Sequence, residues 1–208
     1  MNDYVIFGLS LLTITNPLGA MALFTGMVAD HDEREKRAIA RQASVAVAVI
    51  LLLVTWAGSL VLGLFGVTPA GLQAAGGLVL ILMGIDMLGS STPRAKSTKR
   101  EKAAAMEKES VAVVPLAIPI TIGPGAITTV MLGTQALPGV VDKIVISLIT
   151  LALTLIVWLL FHYATPLARV IGATGIGVVT RIMGLFITAV AFQMLTSGLM
   201  NLMPGLAG

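Results

Sequence analysis

Two short stretches place polar side chains and helix breakers inside otherwise apolar sequence: TNPLGA, Thr15–Ala20, and IPITIGPGAI, Ile118–Ile127. Asn16 can both donate and accept hydrogen bonds, and the hydroxyls of Thr13, Thr15, Thr121, Thr128 and Thr129 surround the two breaks. Pro17 and Pro124 remove backbone donors, while Gly19, Gly123 and Gly125 let a ligand approach the main chain closely. Such groups suit recognition. A helix N-terminus offers N–H donors to an anion, and freed carbonyls accept from a cation. A zwitterion such as an amino acid carries both charges in one small head group. The plainer alternatives are a kink or close helix packing for Pro and Gly, and a back-bond to the preceding turn for any single threonine.

No other constellation points to chemistry. His31 and His162 are far apart, no carboxylate cluster has metal-ligand spacing, and no Gly-rich loop with lysine could cradle a nucleotide. With no cysteine, disulfides, thiol catalysis and thiolate metal sites are excluded. The reading is a protein that is not an enzyme and needs no cofactor or metal.

The elements that hold the two breaks must be membrane spans. Hydrophobic residues make up 57% of 208 positions and charged residues 11%, with a mean hydropathy of +0.99. A soluble domain has no use for so much apolar surface. Six stretches reach the ~20 residues that cross a bilayer: Tyr4–Val28, Ile39–Phe65, Pro69–Gly89, Val111–Gly133, Ile144–Tyr163 and Val178–Leu202. MNDY carries no basic residue ahead of the first run, so that run is expected to be a retained span, not a cleaved signal.

The charges orient the bundle. Arg34, Lys36, Arg37 and Arg41 follow span one. Arg94, Lys96, Lys99, Arg100, Lys102 and Lys108 lie between spans three and four, and Arg169 and Arg181 flank the connection after span five. With six spans, all of these share one side and only Lys143 lies opposite. The positive-inside rule makes that side cytoplasmic and both termini extracytoplasmic. The net charge of +3 does not imply nucleic acid, because the basic residues are loop residues mixed with acidic ones. The 91–110 linker reads as a polar, solvated connection, part of which (KREKAAAMEKE) could lie as a helix on the membrane and meet anionic lipid.

An offset of 107 residues relates the two halves. It carries Pro17 onto Pro124, GLVLILMGIDMLGS (Gly77–Ser90) onto GLFITAVAFQMLTS (Gly184–Ser197), and Glu35-Lys36 onto Asp142-Lys143. Three spans per copy is an odd number, so the second copy lies upside-down. The expectation is an all-α integral membrane fold of six transmembrane helices in two inverted three-helix repeats, 1–90 and 111–208. Spans one and four are broken near the midplane, as in secondary transporters. Thr15, Asn16, Pro17, Gly19, Thr121, Gly123, Pro124, Gly125 and Thr128 are the candidate substrate site. Asp86, the acidic residue well inside a span, and Gln193, its repeat partner, are candidates for ion coupling; an interfacial anchor is the alternative for Asp86.

The stretches TNPLGAMALF, GLQAAGGLVLILMGIDML and PLAIPITIGPGAITTVM resemble the MarC family of six-span prokaryotic inner-membrane proteins, over essentially the whole chain. The family includes neutral amino acid transporters of the SnatA type. The resemblance implies transport of small neutral amino acids such as glycine and alanine, coupled to a proton or sodium gradient, in the inner membrane. A homo-oligomer is compatible with it. A gated channel or passive path, and a membrane protein that transports nothing, are the other readings.

Overall fold

Apolar helix formers between polar caps and Pro/Gly breaks build this molecule. The computed structural model describes residues 2–89, 122–203 and 205, and among these residues it is helical with no strand. The helices are α1 (Asn2–Thr15), α2 (Pro17–Met27), α3 (Glu33–Leu64), α4 (Pro69–Gly89), α5 (Pro124–Ala136), α6 (Val140–His162) and α7 (Ala164–Leu202). Five segments among the described residues are long and apolar enough to cross a membrane: Asp3–Met27 (α1 with α2), Glu33–Leu64, Pro69–Gly89, Val140–His162 and Thr174–Leu202. Residues 111–121 of the expected fourth span, Val111–Gly133, lie outside the described residues, and with them Thr121 and the basic linker. The rest of that span runs into α5, a helix of 13 residues that is too short to cross alone.

Two helices start earlier than hydropathy alone suggests. Charged residues mark the end of an apolar run but not of a helix, and α3 begins at Glu33 because a capping box closes there. Glu35 N–H donates to Asp32 Oδ1 at 2.7 Å, and Asp32 N–H donates to Glu35 Oε2 at 3.1 Å. At the start of α6, Gly139 N–H donates to Asp142 Oδ2 at 3.0 Å. Tyr4 of α1 donates its hydroxyl to the other oxygen of Asp142, which ties the first helix to this cap. Asp32→Ala should lower thermal stability by about 1 kcal/mol, the usual worth of an N-cap, as read from the melting of the purified protein. The connection expected around Arg169 is also helical. Nothing breaks the chain after Tyr163 until Gly172, whose φ of 68 and ψ of 165 interrupt α7.

At 32 residues, α3 is roughly 48 Å long and outreaches the ~30 Å apolar core of a bilayer. Large apolar side chains such as Leu9, Leu53, Leu82, Leu148 and Leu185 are exposed around the bundle. That surface suits lipid.

The tightest packing joins α4 and α7, which run antiparallel. A Cβ at Gly77 would lie 2.5 Å from Leu195 N and 2.8 Å from Ala191 O, and one at Gly198 would lie 2.5 Å from Ala74 N. Farther along, Gly84 and Gly184 face one another, a Cβ on Gly184 falling 3.1 Å from Gly84 O. The backbones touch because small residues recur along one stripe of each helix, the device that replaces hydrophobic driving force in lipid. Two buried clusters fill the rest. One gathers Leu11 and Ile14 of α1, Val47 and Leu51 of α3, Leu80 of α4, Val130 of α5 and Ile187 of α7. The other holds Ala20, Met21, Phe24, Val28, Ala40, Ala43, Val157, Phe161 and Ala164 at the end of the bundle that carries the Asp32 cap.

Candidate functional site

The break between α1 and α2 is built by two adjacent residues. Pro17 has no N–H to give the Thr13 carbonyl, so the ladder cannot run through. Asn16 takes the left-handed conformation, φ 44 and ψ 64, as the one described non-glycine residue with positive φ. Asn bears that conformation more easily than most, yet it still costs on the order of 1 kcal/mol. In return its Oδ1 accepts from Gly19 N–H at 3.3 Å and caps α2. A Cβ at Gly19 would stand 2.2 Å from Asn16 Nδ2, so any larger residue there would displace the capping amide.

Thr15 is the residue out of pattern. Threonines along these helices return their hydroxyls to the preceding turn: Thr13 to Leu9 O, Thr55 to Leu51 O, Thr129 to Gly125 O and Thr188 to Gly184 O, each at 2.7 to 2.8 Å. Thr15 is 5% exposed, and its Oγ1 has no hydrogen-bond partner among the described residues. An unsatisfied buried hydroxyl costs about 1 to 3 kcal/mol.

The second break starts α5. Gly123 occupies its N-cap without a side-chain hydrogen bond, and Pro124 follows at the first helical position. Gly123 O accepts from Ala126 N–H at 3.1 Å. Gly125 is buried where α5 meets its neighbours, its would-be Cβ lying 2.2 Å from Leu80 Cδ2 and 3.1 Å from Ile14 Cγ2. Ile14 directly precedes Thr15, so the end of α1 and the start of α5 are in contact, and the two breaks expected from sequence lie side by side. Gly125 itself is a packing residue. Gly125→Leu would drive Leu80 and α4 away, making it a test of packing and not of a binding pocket.

An open cavity of about 560 Å³ runs from the turn after α3 to this second break, lined by Ile50, Val61, Leu62, Phe65, Val67, Leu72, Ile122, Pro124, Ile127, Thr128 and Met131. Its walls are apolar except for Thr128, which is buried beside Gly76. Asp86 and Gln193 fall elsewhere: both are exposed, on α4 and α7, and neither lines this cavity. His162 packs against Trp158 and Tyr163 at the end of α6.

The sequence pointed to Thr15 and the Asn16 break among the candidate residues, but not to the cavity wall from α3. Val61, Leu62 and Phe65 carry no chemical signal to reveal them.

The comparisons with known proteins agree with a membrane protein of this kind. Residues 1–203 match the MarC family integral membrane protein model. The chain is 33% identical to the UPF0056 membrane protein YhcE of Escherichia coli (strain K12), covering 98% of this chain and 94% of that one. It is 32% identical to the UPF0056 inner membrane protein MarC of Citrobacter koseri, covering 92% and 91%. It is 30% identical to a UPF0056 membrane protein of Aquifex aeolicus (strain VF5), covering 94% and 91%. No solved structure matches. The chain belongs to the MarC family of multi-pass integral membrane proteins.

Proposed function

We propose that this protein is a secondary transporter of small neutral amino acids of the glycine and alanine class, with the substrate held between the two broken helices. The single observation that carries the reading is the hydroxyl of buried Thr15, unpartnered among the described residues, between the left-handed Asn16 and Ile14, which touches the α5 start. In an apolar bundle an orphan polar group of this cost persists where a ligand can satisfy it. The N-terminus of α2 at Pro17 and that of α5 at Pro124 each favour a carboxylate.

Two inverted repeats belong to the same proposal, and the element bounds support it. Pro17 opens α2 and Pro124 opens α5, 107 residues on; Glu33 opens α3 and Val140 opens α6, again 107 residues on. The carboxylates of Glu35 and Asp142, separated by the same interval, each accept from the N-cap N–H of their helix. α2 packs on α7 as α5 packs on α4. Three spans per repeat give six in all, with the termini extracytoplasmic and the chain in the inner membrane, the location that the printed name of the Citrobacter relative gives for that protein. Coupling to a proton or sodium gradient completes the proposal, with Asp86 as the candidate carrier and Gln193 its non-titrating counterpart.

Ligand stabilisation tests the site. Glycine or alanine at about 100 times its dissociation constant should stabilise the detergent-solubilised protein by about 2.7 kcal/mol. Thr15→Val keeps the shape and removes the hydroxyl. It should melt no lower than the parent and lose most of the ligand-induced shift. A Thr15→Val protein stabilised as strongly as the parent would remove Thr15 from the site, and no stabilisation by any neutral amino acid would sink the reading.

A further inference from the structure

At the interval of 107 residues, the open cavity and the second buried cluster occupy corresponding places. Ile50, Ile127, Thr128 and Met131 line the cavity; their counterparts Val157, Ala20, Met21 and Phe24 are packed solid. Phe24 stacks on Phe161, with ring centroids 4.4 Å apart and planes 7° from parallel. The helical segments beside them differ in the same sense. Leu60 and Leu64, near the end of α3, are 64% and 76% exposed, whereas their counterparts Leu167 and Ile171 pack against the closed cluster.

Local chemistry explains why the two ends differ. The counterpart of the α3 end is interrupted at Tyr163, between α6 and α7, because Pro166 cannot donate to the His162 carbonyl. Residue 166 corresponds to Ser59, in a Gly58-Ser59 pair within unbroken α3. Gly/Ser pairs are recurrent kink sites that need not be bent at all times.

We propose that Leu60–Phe65 and Ala164–Ile171 are paired gates on the central site, the second shut by the Phe24–Phe161 stack in this state and the first open, and that closing one opens the other through bends at Ser59 and Pro166. The inference rests on the two-repeat reading for its correspondences, and its test needs no substrate.

The chain contains no cysteine, so Val61→Cys and Ala168→Cys each supply a sole thiol at corresponding positions. A water-soluble maleimide applied to the protein in lipid nanodiscs, where both ends are accessible, should label Val61→Cys faster. Phe24→Met and, separately, Pro166→Ser install the residue type of the opposite gate. Each should raise the Ala168→Cys rate and lower the Val61→Cys rate, by about tenfold for loss of the aromatic stack. A rise at Ala168→Cys with no fall at Val61→Cys in either background would mean local loosening and overturn the paired gates. Equal labelling of the two thiols in the parent would do so as well. Neither failure touches amino acid binding through Thr15, which the thermal shift reads independently.

Discussion

Asn16→Ala should cut amino acid uptake by at least about tenfold while the protein still assembles in the membrane. The amide does two things in the structure: it caps α2 through Gly19 N–H, and it holds the chain in a left-handed turn that few residues adopt. Losing the cap costs about 1 kcal/mol, and an alanine in that backbone conformation adds on the order of another 1 kcal/mol. A tightly packed bundle survives both. The larger loss is the polar partner beside the orphan Thr15 hydroxyl, because a hydrogen bond to a charged group is worth about 1.5 to 3 kcal/mol. Asn16→Gly separates the two roles. Glycine keeps the left-handed backbone without steric cost, so Asn16→Gly should fold better than Asn16→Ala and transport equally poorly. If Asn16→Gly transports like the parent, the amide serves the backbone alone.

Gly77→Val should be the most damaging single substitution for the fold. A Cβ at this position meets backbone atoms, Leu195 N at 2.5 Å and Ala191 O at 2.8 Å, and backbone cannot rotate away as a side chain can. α4 and α7 would have to separate along their shared stripe, costing about 3 kcal/mol or more, at the upper end of overpacking penalties. Gly177→Ala is the matched control, since nothing lies within 4 Å of a Cβ there; it should be neutral or stabilise by up to about 1 kcal/mol. Melting temperatures of the two variants in the same detergent check the pair. A Gly77→Val protein that melts with the parent would mean that the α4–α7 contact carries little of the stability.

How much of this was legible in the sequence depends on the kind of signal. Pro17 and Pro124 were readable because proline forbids a hydrogen bond wherever it stands; the chain breaks at Asn16–Pro17 as expected, and α5 starts at Pro124. The helical starts at Glu33 and Val140 were missed by apolar-run reasoning, although the Asp32–Glu35 spacing is itself a capping signature. Arg169 suggested a connection, but charge marks a membrane boundary and not a helix end; the end is set by the backbone of Gly172. Gly125 looked like space for a ligand and is instead filled by Leu80 and Ile14. Gly77, Gly84, Gly184 and Gly198 are the reverse: their small-residue spacing carries a helix contact in plain view, yet composition alone does not say which helix is the partner. The orphan state of Thr15 is hidden from sequence altogether, because it depends on one side chain's surroundings, while other threonines nearby bond their own helix.

The most direct measurement is accumulation of radiolabelled glycine and alanine in proteoliposomes under an imposed proton or sodium gradient, beside empty liposomes and Asn16→Gly. A coupled transporter takes both amino acids up above the external concentration, driven by one of the two gradients, suppressed by unlabelled alanine and lost in Asn16→Gly. Uptake that only equilibrates, whatever the gradient, would contradict coupled transport and leave a passive path. Folded protein that moves neither amino acid under either gradient would contradict the substrate class itself.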